Sequence, residues 1–135
     1  MKFLVDTNVV SEPTKLRPAA RVVEWLDRQD PAGLFLPSPV LAEIWDGFYN
    51  LPATHPRRPK LEQFARELPV HYRLIDFDAR AAHSWGELVN GDGHDLGAMD
   101  LLIAAIAHAR GFTVTTNDAA PFHRAGLKVF NPFDE

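Results

Sequence analysis

The chain has 135 residues, 46% of them hydrophobic, no cysteine and a formal net charge of −4. That length supports one domain with a full core and is too short for two comfortable ones. The composition excludes a disulfide framework and thiolate metal ligands, and the negative charge excludes nucleic-acid binding by bulk electrostatics alone. A nuclease stays open, because carboxylates loaded with divalent cations present positive charge. No apolar stretch approaches the length of a bilayer span, and Asp6 interrupts the N-terminal apolar run far short of a signal-peptide core. The expectation is a soluble, cytoplasmic protein with no membrane role.

Phe3-Leu4-Val5 is apolar without polar alternation, which suits a strand buried on both faces of a parallel sheet. Asp6 follows at once. A carboxylate at the carboxyl end of such a strand is placed for chemistry, although Asp6-Thr7-Asn8 equally suits a helix N-cap. A helical turn is expected through Ser11, and Pro13 and Pro18 then form a linker. Residues 19–29 place Val22, Val23 and Leu26 at helical spacing with Arg21, Asp27 and Arg28 outside. Pro31 and Gly33 break that helix, and Leu34-Phe35-Leu36 reads as a second buried strand. Ser38-Pro39 opens the next helix, with a hydroxyl at the N-cap and proline at the first helical position. Its inward stripe is Leu41, Ile44, Trp45 and Phe48; Glu43 lies beside it, either solvated or delivered to the same rim as Asp6.

Residues 50–59 shift to Pro, His and Arg, and Arg57-Arg58-Pro59-Lys60 is the only dense basic patch. It reads as a solvated loop or as a contact for RNA or a partner. A helix over 61–68, with Leu61, Phe64, Ala65 and Leu68 inward, is expected to end at Pro69 and to complete a helical hairpin standing off the sheet. Residues 72–75 form a third strand leading to Asp76-Phe77-Asp78. This triplet suits an aspartyl-phosphate enzyme or, with Asp78 before Ala79-Arg80-Ala81-Ala82, a helix cap. The helix that follows is expected to turn Ala82, Trp85 and Val89 inward. Residues 90–97, with three glycines, read as a connector. Ala98–Arg110 is a helix closed by Gly111, with Leu102, Ala105, Ile106 and Ala109 as its core stripe. Its first-turn Asp100 complements the helix dipole or joins the other acids. Residues 112–116 form a strand ending at Asn117-Asp118, and residues 127–130 a last short one.

This alternation predicts one α/β domain over residues 1–135, a central parallel sheet of four or five strands with helices on both faces. Right-handed crossovers bring strand ends and helix starts to one rim, where Asp6, Glu43, Asp100 and Asp118 gather. Uncompensated carboxylates repel one another and need a cation. An oxygen-only ligand set suits Mg²⁺ or Mn²⁺. The matching chemistry is phosphodiester hydrolysis, with metal activating water for in-line attack and leaving a 5′-phosphate and a 3′-hydroxyl.

Four stretches carry a family resemblance: Asp6-Thr7-Asn8, Glu43 in Ser-Pro-Val-Leu-Ala-Glu, Asp100-Leu-Leu-Ile-Ala-Ala-Ile-Ala, and Thr115-Thr116-Asn117-Asp118. In this order they resemble the PIN-domain family across the whole chain. The Asp-Thr-Asn-Val-Val-Ser-Glu-Pro start and the Gly126-Leu-Lys-Val-Phe-Asn-Pro-Phe end look like the VapC and FitB-like toxins of bacterial toxin-antitoxin pairs. The resemblance implies a Mg²⁺- or Mn²⁺-dependent endoribonuclease, a homodimer, inhibited by a small DNA-binding antitoxin. It implies that Asp6, Glu43 and Asp100 are catalytic metal ligands with Asp118 as the fourth acid, supported by Thr7, Asn8 and Thr116. Two positions depart from the family pattern. Ala119-Ala120-Pro121-Phe122 stands where many relatives carry a further acid, and Met99 precedes Asp100 in place of the usual Ala. Two other readings of the chain are a non-enzymatic PIN-like binding module and an aspartyl-phosphate phosphatase or phosphotransferase centred on Asp76.

Overall fold

Successive residues of a strand point to opposite faces of a sheet, so a strand buried at every position must be covered on both sides. Leu4, Val5, Val114 and Thr115 are all fully buried in the computed structural model, which describes residues 1–134. Leu4 and Val5 belong to β1 (Phe3–Val5), and Val114 and Thr115 to β4 (Thr113–Thr115). With β2 (Leu34–Pro37), β3 (Arg73–Ile75) and β5 (Val129–Phe130) they form one five-stranded sheet in the order β3-β2-β1-β4-β5. Every pairing is parallel, with Leu4 opposite Phe35 on one side and Val114 on the other. The chain steps from β1 outward to β2 and β3, then returns past β1 to β4 and β5. Right-handed connections put the helices of the two excursions on opposite faces. The reversal leaves a crevice beyond the carboxyl ends of β1 and β4, the place where open α/β sheets bind ligands.

Seven helices connect the strands: α1 (Thr7–Val10), α2 (Ala20–Arg28), α3 (Ser38–Asn50), α4 (Arg58–His71), α5 (Ala79–Val89), α6 (Ala98–Arg110) and α7 (Ala119–Arg124). Helix α6 has the expected bounds, and Gly111 closes it at φ 68°, a left-handed conformation that costs glycine nothing. Its burial differs from the expected stripe. Leu101 and the run from Ile103 to Ala107 are all buried, because α6 is packed by α5, α3 and β4 together. The small side chains of that run allow this close approach.

Several local expectations give way to tertiary contacts. Pro69 does not end α4, which runs on to His71 and closes with the Tyr72 N–H on the Leu68 carbonyl at 2.9 Å. A proline in the last turn removes only one bond there, and burial of Ala65 and Leu68 in the main core holds the turn. The same burial draws α4 onto the domain instead of leaving the hairpin off the sheet. Helix α5 buries Ala81, Ser84 and Leu88, one position away from the expected face. Small residues fit against α6, whereas Trp85 is too bulky for that contact and stays 38% exposed. Helix α3 begins at Ser38 with Pro37 as its cap, so Ser38 is not the N-cap, and it buries Pro39 and Val40 with Ile44 and Phe48. Trp25 of α2 is a core residue the spacing did not select, packed edge-on against Phe3 at 5.0 Å. Helix α7 is an element that sequence reading left out, and β3, β4 and β5 are shorter than expected because their neighbours pair over only two or three residues.

Candidate metal centre

The site begins where β1 stops. The Asp6 N–H donates to the Thr115 carbonyl at 3.0 Å, carrying the β1–β4 ladder one residue past the strand. Its own carbonyl accepts from the Val9 and Val10 N–H groups, so Asp6 caps α1. Its carboxylate accepts from the Thr7 N–H at Oδ1 (2.8 Å), and from the Thr116 hydroxyl (2.8 Å) and the Asn8 amide (3.2 Å) at Oδ2. Cap and site are therefore one arrangement at Asp6, which is only 6% exposed. Three donors offset the cost of burying this carboxylate.

Thr116 is fully buried beneath the site and joins the two strand ends. Besides donating to Asp6, its hydroxyl accepts from the Asn8 amide (3.2 Å) and the Asp118 N–H (3.1 Å). Asn8 in turn accepts from the Asn117 N–H at 2.9 Å. From across the rim, the second turn of α3 delivers Glu43, whose Oε1 accepts from the Thr7 hydroxyl at 2.9 Å. The first turn of α6 delivers Asp100, and the cap position of α7 delivers Asp118.

All four acids line one open pocket of about 410 Å³, together with Thr7, Asn8, Asn117, Ser11 and Lys15. Burial pushes the Asp100 carboxyl up to about 6, and repulsion from Asp6, Glu43 and Asp118 adds to the shift. Glu43 is also raised, by burial first; the Thr7 hydroxyl opposes this while Asp6 and Asp46 reinforce it. The carboxylates therefore act on one another at close range, and a proton or a cation relieves the repulsion. Among the described residues no three His, Cys, Asp or Glu side chains close into a finished coordination cage. An open all-oxygen set of this kind fits Mg²⁺ or Mn²⁺, which keep part of their own water shell.

Other charged residues fall elsewhere. Arg57 and Lys60 line a separate pocket of about 280 Å³ with Thr14, Leu61 and Phe64. Arg58 is committed to packing, its guanidinium 4.3 Å from the Phe48 ring centre and its Nε donating to the Phe48 carbonyl at 3.4 Å. Asp78 accepts from the Ala81 N–H at 3.0 Å and pairs with Arg110 at 2.6 Å; both contacts hold its carboxyl below the usual range. Asp78 is thus a cap, and neither it nor Asp76 lines the acid pocket. A larger hollow of about 600 Å³ beside Phe3, Trp25 and Phe130 contains no carboxylate, so size does not mark the chemistry.

Ser11, Lys15 and Asn117 are pocket residues that sequence reasoning missed, as it missed Glu12 behind them. Glu12 is buried, accepts from the Ala19 N–H at 2.8 Å and pairs with Lys15 at 2.9 Å, and both contacts lower its carboxyl. The available signal was a Glu three residues before a Lys, followed at once by Pro13 to start a tight turn.

Comparison with known proteins agrees with this geometry. A family model described as PIN domain matches residues 3–128. The chain is 36% identical over 137 residues to the VapC ribonuclease Y4jK of Sinorhizobium fredii, covering 98% of each protein. It is 33% identical over 140 residues to Toxin FitB of Neisseria gonorrhoeae, covering 98% of this chain and 99% of that one. The structure of FitAB bound to an IR36 DNA fragment contains a chain that superposes with a TM-score of 0.88 at 30% identity, over 98% of this chain and 96% of that one. Matched over nearly its whole length in sequence and in fold, the chain belongs to the PIN-domain family.

Proposed function

We propose that this chain is a Mg²⁺- or Mn²⁺-dependent endoribonuclease, the toxin of a toxin-antitoxin pair, built as one domain over residues 1–135. Asp6, Glu43, Asp100 and Asp118 are its catalytic acids and hold the metal, with Thr7, Asn8 and Thr116 in support. The observation that carries this reading is the raised Asp100, whose carboxyl feels three other acids across one open pocket. The relatives named VapC ribonuclease and Toxin FitB support the activity and the biological role. The DNA-bound FitAB structure supports a small DNA-binding antitoxin as partner and a homodimeric toxin. A cytoplasmic location follows from a cellular RNA substrate. Consistent with it, among the described residues no helix is long and apolar enough to cross a membrane.

The chain's own groups prepare the site. Thr116 and Asn8 fix the Oδ2 side of Asp6, and the Thr7 N–H fixes Oδ1, so this carboxylate is oriented before any ligand arrives. The Thr7 hydroxyl holds Glu43 toward the same pocket. Asp100 and Asp118 close the other side. Divalent metal at these acids supplies Lewis acidity to the phosphodiester and activates the attacking water for hydrolysis to 5′-phosphate and 3′-hydroxyl ends.

The test is cleavage of a mixed single-stranded RNA panel by wild type and Asp100→Asn, with Mn²⁺, Mg²⁺ or EDTA, followed by analysis of the ends. Cutting is expected only with metal and only with Asp100 present. Cutting that survives EDTA, or that leaves a 2′,3′-cyclic phosphate, would overturn the mechanism. Metal binding without any turnover would favour a binding module.

A further inference from the structure

Four carboxylates at the cutting site repel an RNA backbone until cations are bound, so the polyanion needs a hold beside that site. We infer that the Arg57 and Lys60 pocket is that hold: it takes a nucleotide of single-stranded RNA next to the one being cut, phosphate on the two cations and base on Phe64. This rests on the ribonuclease reading and adds a substrate subsite to it.

Three observations place it there. The two pockets share a wall, since Thr14 lines the cationic pocket and Lys15 the acidic one. Consecutive Cα atoms lie only about 3.8 Å apart. That wall is stiff: the Thr14 hydroxyl donates to the Ser11 carbonyl at 2.6 Å, and buried Glu12 anchors Lys15 at 2.9 Å. Arg57 and Lys60 also differ from most cations around them. Arg66 and Arg110 are paired with Glu62 and Asp78, whereas Arg57 and Lys60 have no carboxylate partner among the described residues. In a chain of net charge −4, two unpaired cations at one pocket are a local surplus.

The floor decides the kind of polyanion. Leu61 and half-buried Phe64 give the pocket an apolar base under its charged rim. An aromatic platform with flanking cations holds single-stranded nucleic acid, whose bases stack, better than an acidic peptide, which offers no ring. Arg58 is outside this subsite because Phe48 already occupies its guanidinium face. Lys15, at the shared wall with its side chain 62% exposed, reaches the phosphate between the two pockets.

The experiment measures binding of a fluorescein-labelled single-stranded RNA of about 12 nucleotides by anisotropy, in EDTA and across a salt series. The proteins are wild type, the double variant Arg57→Gln with Lys60→Gln, Phe64→Leu, and Arg58→Gln. Thermal melts confirm that each is folded. The double variant is expected to bind about tenfold more weakly and to flatten the log–log salt slope by about 1.4, at about 0.7 per phosphate lost. Phe64→Leu is expected to weaken single-stranded binding by about tenfold and to leave the salt slope unchanged. Arg58→Gln leaves the slope unchanged.

Wild-type affinity and slope in the double variant would overturn the subsite. So would binding of polyglutamate that depends on Arg57 and Lys60 while RNA binding does not, since the pocket would then serve an acidic protein partner. The two readings fail separately. RNA held through Arg57, Lys60 and Phe64 but never cut in Mn²⁺ sinks the ribonuclease and keeps the subsite. Wild type that cuts, with a double variant that binds RNA equally well, does the reverse.

Discussion

Asp100→Asn should stabilise the metal-free protein at neutral pH, because the native fold holds this carboxylate against its preference. Its ordinary value is 3.8, and burial with three neighbouring acids raises it to about 6. A carboxyl raised by folding favours the native state when protonated. Its contribution is therefore fully present below 3.8, is lost as pH rises through about 6, and is constant above that. At about 1.36 kcal/mol per pH unit the full gap is worth at most about 3 kcal/mol. Asp100 is only half-buried, so solvent screening brings this to about 1 kcal/mol. Asparagine nearly preserves the volume, and no hydrogen bond to the Asp100 side chain is lost among the described residues. In EDTA at pH 7.5 the variant should melt about 4 °C above wild type. The gap should shrink to about half near pH 5 and vanish below 3.8. In Mn²⁺ the order should reverse, since only the wild type keeps the full set of acids that tie metal binding to folding. A variant no more stable than wild type at pH 7.5 in EDTA, or a gap that ignores pH, would refute this account of the site.

Three further substitutions probe the supports. Glu43→Gln keeps an acceptor for the Thr7 hydroxyl but removes the charge; single-turnover RNA cleavage should fall by about 100-fold with no loss of melting temperature in EDTA. Thr116→Val removes one donor to Asp6 and the acceptor for the Asn8 amide and the Asp118 N–H. Urea unfolding should show a loss of about 2 kcal/mol, and cleavage should fall with it. Gly111→Ala meets no neighbour within 4 Å but must hold φ 68°; it should cost about 1 kcal/mol by the same unfolding assay and leave RNA cleavage intact.

Much of this molecule is readable along the chain, because its strongest signals are local. The run Phe3 to Val5, the cap at Asp78, and Gly111 after the alanine-rich α6 each depend on a few adjacent residues. The four acids could be found because each stands at the end of a strand or the start of a helix. What misled sequence reading was competition from distant contacts. The face that α5 buries was set by how closely α6 could approach, not by where its largest apolar residues fell. Pro69 reads as a helix stop, yet packing of Ala65 and Leu68 carried α4 past it.

The sequence by itself determined the α/β class, the order of the strands along the chain, the positions of the four acids and their all-oxygen chemistry. Those properties follow from periodicity, caps and residue type, which act over a turn or a strand. Only the tertiary structure decided that the chain reverses at β1, so that Asp6 and Asp118 open into one crevice with Glu43 and Asp100. It also decided that Thr116 would serve as the buried joint between β1 and β4, and that Lys15 would join the wall beside Arg57 and Lys60. The reason is distance along the chain. Thr116 lies 110 residues from Asp6, and no local preference specifies a hydrogen bond across that gap until the sheet has brought its ends together.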